Sequence, residues 1–434
     1  MALKLKENQT ETQNNQSTYQ YNVVNSFIPG MAPGVPAFPN LYQVGMTRVN
    51  APAPPPIEMP ETKIPRAINY YADHGGCGYW RMGWSEYLLN LKQKADVCGL
   101  TAMVLSENFY HNIKAIRLQR QATPHQKEFV KALKDLSNKF KFKLIYEVDD
   151  IVFKDDIPDY NRCKEAFDNP EIAKTILEIM QMTDEFTVTC QFMKDYYKSK
   201  SNHQKINVLP NYAPKFWLDG YYDEEKLLKR LEKYKKKPRV LYAGSGVHAD
   251  IVNKTNQKDD FEHVVQAIIK ARKDFTFVWK GCFPLSCKPF IDNGEMEFLQ
   301  WDDLHMFPAG LDAADCNVTF ASLQDNIFNR SKSNIKMIEA GALGLPGAFQ
   351  DMCTYDGAEL KFRSGDELID LFKLMTKDFN NYNNFSKNGR KFANGLWLED
   401  HLDEVMALYF TDWGSKERNI MAPTLINNNP EQKC

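Results

Sequence analysis

One pattern, met twice along the chain, constrains the fold more than any other feature: strand-forming residues, a glycine-rich turn, then a helix-compatible stretch. The first copy opens at residues 67–73, Ala-Ile-Asn-Tyr-Tyr-Ala-Asp, passes through His74, Gly75, Gly76, Cys77 and Gly78, and reads as a helix to Leu91. Residues 102–105 and 113–118 read as the next strands, 124–139 as a lysine-rich helix, and 142–148 as a strand ending at Asp149 and Asp150. The second copy starts at Val240-Leu241-Tyr242-Ala243 and runs into Gly244, Ser245 and Gly246. A helix over 261–273, strands over 275–281, 297–301 and 316–320, and a helix over 334–343 follow, the last stopped by Gly344 and Pro346. Such alternation predicts parallel sheets with helices on both faces. Two copies in 434 residues predict an α/β protein of two Rossmann-like domains.

Composition divides the rest. Residues 1–65 are Asn/Gln/Thr-rich and then Pro-rich, as at Ala51-Pro52-Ala53-Pro54-Pro55-Pro56, too poor in apolar residues to offset chain entropy. They read as a disordered arm, with Phe27, Phe38 and Leu41 able to dock locally. The first domain is expected over 66–225, a basic connector over 226–238, the second domain over 239–415 and a flexible tail over 416–434. With 43% hydrophobic and 25% charged residues, most of the chain should bury a core. A net charge of −2 gives no global attraction to nucleic acid or an anionic membrane. The nine cysteines form no metal-type spacing and read as reduced intracellular thiols. No signal-like or membrane-spanning apolar run occurs, so a cytoplasmic location is expected.

The segment richest in chemistry is Phe328-Asn329-Arg330-Ser331-Lys332-Ser333-Asn334-Ile335-Lys336-Met337-Ile338-Glu339-Ala340-Gly341-Ala342-Leu343-Gly344-Leu345-Pro346. On a helix Lys332, Lys336 and Glu339 share one face, while Ile335, Ile338 and Ala342 occupy the neighbouring apolar one. A helix start with free amides and lysines suits a diphosphate, and a glutamate further along could hold ribose hydroxyls. An ordinary amphipathic helix with a solvated Lys–Glu pair has the same periodicity.

This segment resembles the donor-binding helix of GT-B glycosyltransferases, which ends in Glu-Ala-x-Ala-x-Gly-x-Pro. The resemblance extends to residues 240–248, to Trp279-Lys280-Gly281 and to Asp315-Cys316-Asn317-Val318, and so spans the carboxy-terminal half. It implies two domains facing each other across a cleft, with Glu339 on the nucleotide ribose and Lys332 or Lys336 on the diphosphate. Gly244, Ser245, Gly246, Asn329 and Ser333 complete the implied donor site, with His248 after the turn either contacting the donor phosphates or sugar or serving a structural role. Many retaining members carry a second glutamate eight residues earlier, where Ser331 stands. That departure leaves donor sugar and stereochemical outcome open.

The amino-terminal half matches the acceptor domain less sharply. Gly75, Gly76, Gly78 and Arg81 resemble the glycine-rich first loop, where backbone amides approach a phosphate or sugar oxygen, although a plain tight turn has the same composition. Asp149 and Asp150 fall at a strand's carboxyl end, where parallel sheets place ligands. They could orient or deprotonate an acceptor hydroxyl, bind a divalent cation, or cap the next segment.

The implied reaction moves a sugar from a nucleoside-diphosphate sugar to a hydroxyl, with Lys332, Lys336 and the amides of Gly244 to Gly246 stabilising the departing diphosphate, and with no obligatory metal. Similar phage enzymes glycosylate hydroxymethylated DNA bases. Residues 226–239 hold eight basic side chains, Lys226 to Arg239, with Tyr234 among them, and could track double-stranded DNA or be a solvated linker. A surface-glycan transferase and a non-catalytic sugar-nucleotide-binding module are the alternatives.

Overall fold

The computed structural model describes residues 64–410 and, in the arm, the strands β1 (Tyr19–Val24) and β2 (Gln43–Arg48), which pair antiparallel. The rest of the expected disordered arm and residues 411–434, which include the expected tail, lie outside the described residues.

Two six-stranded sheets, parallel throughout, form the body. The first holds β3 (Arg66–Tyr70), β4 (Asp96–Leu100), β5 (Ile113–Gln119), β6 (Lys143–Glu147), β7 (Glu185–Val188) and β8 (Ile206–Val208), in the order β4-β3-β5-β6-β7-β8. The second holds β9 (Arg239–Ala243), β10 (Thr276–Lys280), β11 (Glu297–Leu299), β12 (Val318–Ala321), β13 (Gly347–Gln350) and β14 (Lys361–Phe362), in the order β11-β10-β9-β12-β13-β14. The inner strands β3, β5, β6 and β10 are buried along nearly their whole length, as helices on both faces require. In each sheet the chain begins inside, winds to one edge, and restarts on the other side of the first strand. That reversal opens a crevice at the carboxyl ends of β3 and β5, and another at those of β9 and β12.

Several strand assignments differ from expectation. Residues 102–105 are not a strand; the edge strand β4 precedes them, and Met103 and Leu105 instead pack on the first domain's core. An edge strand is covered on fewer sides, so Asp96 and Gly99 are tolerated there and weaken its sequence signal. The short strands β7, β8, β13 and β14, of four, three, four and two residues, were not expected either.

The domains interlock. Ile151, Ile157 and Phe328 form a small apolar cluster joining the loop after β6 to the second domain. The helix Leu402–Phe410 crosses back to the first domain, where Tyr409 donates to Asn69 Oδ1 at 2.7 Å.

The basic run is largely neutralised by its own domain. Lys226 pairs with Asp312, Arg230 with Asp312 and Asp315, Lys233 with Asp315, and Arg239 with Glu297. Lys229 and Lys235 pair with Glu225 and Glu232. Lys226 to Lys233 lie in the helix Glu224–Lys233 and Arg239 begins β9, so the run sits at the amino ends of the second sheet. The crevice lies at the opposite ends.

Helix Ile335–Leu343 owes its seat to Gly341. A Cβ there would fall on the carbonyl oxygen of Gly389, in the helix Phe379–Asn394, well inside van der Waals contact. The Glu-Ala-Gly-Ala run thus encodes close helix packing besides any ligand contact. Gly341→Ala is expected to destabilise the fold by about 1–3 kcal/mol through overpacking, despite alanine's better helix propensity. An unchanged urea midpoint would refute this packing account.

Candidate functional site

The second domain's crevice is built by β9, β12 and the helix Ile335–Leu343. After Ala243 the chain turns at Gly244, whose N–H donates to Lys280 O at 3.0 Å, joining the turn to β10. Lys336, in the helix's first turn, donates its ammonium to the Ala243 carbonyl and lies 4.8 Å from the Tyr242 ring centroid. The helix start is thereby fixed against the end of β9. Among the described residues no protein group accepts from the backbone N–H of Ser333, Asn334, Ile335 or Lys336. These amides carry the positive end of the helix dipole. Burial lowers the Lys336 pKa, and Glu339 opposes that shift.

Glu339 stands one turn along, half-buried. Burial pushes its carboxyl up to about 7, while Lys336 pulls it back down. No described residue donates a hydrogen bond to it. A carboxylate held out of water with no donor of its own is matched once hydroxyls arrive.

Beneath the crevice, Asp260 is fully buried and gathers four groups. Its Oδ1 accepts from Tyr160 Oη at 2.6 Å, Asn329 Nδ2 at 2.6 Å and Gln324 N at 2.9 Å; its Oδ2 lies 2.7 Å from His248 Nδ1. Burial lowers the His248 pKa, with Asp260 opposing. A neutral imidazole donating Nδ1–H to Asp260 leaves the Nε2 lone pair for a hydroxyl. Asn329 lies in this network: its amide also reaches Tyr160 Oη and Gln324 O, so it supports the site from below.

Ser245 is exposed on the turn and Gly246 half-buried beside it. Ser333 Oγ accepts from Asn211 Nδ2 of the first domain at 2.8 Å. Lys332 reaches across to Asp150, 2.7 Å from Oδ1. Burial would lower the Lys332 pKa, but Asp150 holds it above its ordinary value. Ser331 is fully buried and donates to Phe328 O at 2.6 Å, so this position faces the interior.

On the first domain's side, the glycine turn is already occupied. Asp73 Oδ1 accepts from Gly75 N at 2.7 Å and Gly78 N at 3.3 Å, and a Cβ at Gly78 would strike the Asp73 carbonyl. Gly76 alone of the three faces open space. Arg81 lies a turn further on and points into the sheet, donating to Glu147 Oε1 at 2.6 Å, Leu209 O at 2.7 Å and Asn211 Oδ1 at 2.7 Å. It is 3% exposed, too buried to meet a substrate phosphate. Glu147, wholly buried with Arg81, Arg117 and Thr187, explains that inward turn. Asp149 stands 3.3 Å from Arg120; burial raises its pKa, but Arg120 outweighs this and holds it below the usual value. With Asp149 and Asp150 each matched to a cation, they are poorly disposed to a divalent ion. No group of three or more His, Cys, Asp or Glu side chains among the described residues could hold one.

Sequence reasoning missed Tyr160, Arg162 and Asp260. Tyr160 and Asp260 sit in turns and Arg162 opens the short 3-10 helix Arg162–Phe167, none of them with hydrophobic periodicity, so only the packed structure reveals them.

No family model matches the chain, and no curated protein does. Solved structures do. A crystal structure of HepE from Anabaena in complex with UDP and glucose shares 10% identity at a TM-score of 0.52, covering 80% of this chain and 98% of that one. The same protein in complex with UDP-glucose shares 9% identity at a TM-score of 0.52, covering 79% and 99%. An alpha-glucosyltransferase in complex with UDP and a 13-mer DNA containing an HMU base shares 10% identity at a TM-score of 0.51, covering 80% and 99%. No helix among the described residues is long and apolar enough to cross a membrane. With both sheets, the cleft between them and these likenesses in place, the chain has the GT-B fold.

Proposed function

We propose that the chain is a glycosyltransferase that binds a nucleoside-diphosphate sugar in the second domain and transfers the sugar to an acceptor hydroxyl in the cleft. One observation carries this reading: the Glu339 carboxylate, half-buried and without a protein donor, one turn from Lys336 and the free amides of the helix start. A ribose supplies two hydroxyls to such a carboxylate, and a diphosphate supplies the anion for the amides and the lysine. UDP in the HepE and alpha-glucosyltransferase structures supports a uridine donor.

Catalysis then rests on stabilising the departing diphosphate. Lys336 and the Ser333 to Lys336 amides face the charge as it develops, and His248 Nε2 is placed to hold a sugar hydroxyl. Asp149, held acidic by Arg120, is a weak base and a firm acceptor; it orients a hydroxyl more readily than it removes a proton. Asp150 shares its charge with Lys332, so acceptor side and donor side meet at one ion pair.

For the acceptor, we take a hydroxymethylated DNA base as the first reading, supported by the DNA-bound alpha-glucosyltransferase of the same fold. A glycan is the second. It is favoured by a hollow of about 410 Å³ in the first domain, lined by Tyr71, Tyr79, Tyr87 and Glu86, where aromatic faces and a carboxylate suit a sugar ring. Because the basic run lies at the far ends of the sheet, a duplex seated at the cleft would gain little from it.

Glu339→Ala and Lys336→Ala should each weaken UDP-sugar binding by about 1–3 kcal/mol in calorimetry; wild-type affinity in both would remove the site.

Binding should also depend on pH through Glu339. Its carboxyl sits at about 7 in the free protein against an ordinary 4.5, and hydroxyl donors favour its ionised form. Binding below pH 7 must therefore release a proton, and affinity should fall by up to about tenfold per unit as pH drops through that range. In the free protein the sign is opposite: the group's contribution to stability is full below pH 4.5 and is lost as pH rises through 7. In Glu339→Gln the pH slope of binding should be shallower by one proton, and an identical slope would show that Glu339 does not meet the ligand.

Transfer of labelled sugar should occur to duplex DNA containing hydroxymethylcytosine and not to unmodified DNA, with Lys235, Lys236 and Lys237 replaced by Gln at no cost. Transfer to an oligosaccharide or lipid-linked glycan alone would install the second reading.

A further inference from the structure

We infer that Arg162, a side chain of the first domain, is a second cation on the donor diphosphate, reaching across the cleft over the glycine turn at Gly246. This rests on the nucleotide-sugar reading of the second domain's crevice.

Charge partners single Arg162 out. Ten of the eleven arginines in residues 64–410 pair with a carboxylate: Arg66, Arg81, Arg117, Arg120, Arg230, Arg239, Arg272, Arg330, Arg363 and Arg390. Arg162 has no ion pair among the described residues, although it is half-buried. A guanidinium presents a planar fork of donors, suited to two phosphate oxygens at once, and half-burial without an anion leaves that capacity unused.

Its position is equally specific. A guanidinium nitrogen lies 2.6 Å from the point where a Cβ on Gly246 would stand, so the missing side chain makes the room it occupies. Gly246 belongs to the turn after β9, and Lys336 is tied to that strand's last carbonyl. The two cations therefore flank the same turn, one from each domain. No carboxylate pairs with Lys336 either; its opposing charge is Glu339, one turn deeper.

The chain holds Arg162 there. Two residues earlier, Tyr160 donates to Asp260 of the second domain at 2.6 Å, in a buried bond. Asn161 is buried between them; its N–H donates to Pro158 O at 3.0 Å and its side chain accepts from Cys163 N at 2.8 Å. The backbone on both sides of Arg162 is thus fixed before any ligand arrives, which lowers the ordering cost of the contact. The nucleoside would meet only the second domain, whereas the diphosphate would touch both, so the phosphates and not the base would bind the domains together.

Calorimetric titration of the full chain with UDP, and with uridine by competition, separates these roles. Arg162→Gln should lower UDP affinity roughly ten- to a hundredfold and leave uridine affinity unchanged. Arg162→Lys should recover part of the loss, keeping the charge without the fork. Gly246→Ala, which displaces the guanidinium, should weaken UDP binding in the same sense. Undiminished UDP affinity in Arg162→Gln overturns the clamp while leaving the nucleotide site standing, since Glu339→Ala would still lose affinity. Equal loss of UDP and uridine also overturns it, by showing a general structural role. Absence of UDP binding by the wild-type chain removes the clamp and the nucleotide reading together.

Discussion

The Asp260 carboxylate is the interaction on which the geometry of the cleft depends. A charge buried this completely is tolerated only when its lone pairs are filled, and here they are filled by four groups from separate segments: Tyr160, His248, Gln324 and Asn329. Tyr160 comes from the first domain and the others from the second. One buried acceptor thereby fixes the interdomain loop, the imidazole after the glycine turn, and the segment leading to the helix Ile335–Leu343. Removing any donor would leave the carboxylate short of a partner, a larger penalty than the loss of one ordinary hydrogen bond.

Above that network the polar groups follow the opposite rule. The amides from Ser333 to Lys336 and the Glu339 carboxylate have no protein hydrogen bond among the described residues, and Arg162 has no ion pair. Groups held this way are set in place at a cost to stability, which the native fold offsets elsewhere and a complementary ligand relieves. The contrast between a saturated layer below and an unsaturated layer above outlines the site more sharply than any one residue does.

Much of the second domain was legible in the sequence because its inner strands are apolar runs bounded by glycine, and because Lys336 and Glu339 fall at helical spacing after Asn334. The glycine turn of the first domain was legible as a turn but not as a filled one. Nothing local says that Asp73, two residues before Gly75, takes the amides a ligand would otherwise have used. Arg81 misled for a related reason: its partner Glu147 is 66 residues away and meets it only after β6 has joined the sheet. The edge strand β4 was hidden by Asp96 and Gly99, while the apolar residues just after it drew the assignment forward. Tyr160 and the role proposed for Arg162 were out of reach, since both depend on a loop touching another domain. Sequence periodicity carries no trace of that contact.

The two halves of the cleft therefore differ in kind. In the second domain the unsatisfied groups are numerous and of complementary sign, Glu339 against Lys336 and the helix amides, as a ligand with hydroxyls at one end and phosphates at the other requires. In the first domain nearly every ionised group is already matched: Asp73 and Asp149 with Arg120, Glu147 with Arg81 and Arg117, Asp150 with Lys332. A surface so balanced adds little Coulomb attraction for an incoming acceptor and must recognise it by shape, ring faces and single hydrogen bonds. Affinity in the proposed reaction would then be concentrated in the donor, and selectivity in how the acceptor fits beside Asp149 and Asp150. The Lys332–Asp150 pair is where the two requirements touch. A diphosphate drawing Lys332 toward itself would loosen Asp150, freeing that carboxylate for the acceptor only once the donor is bound.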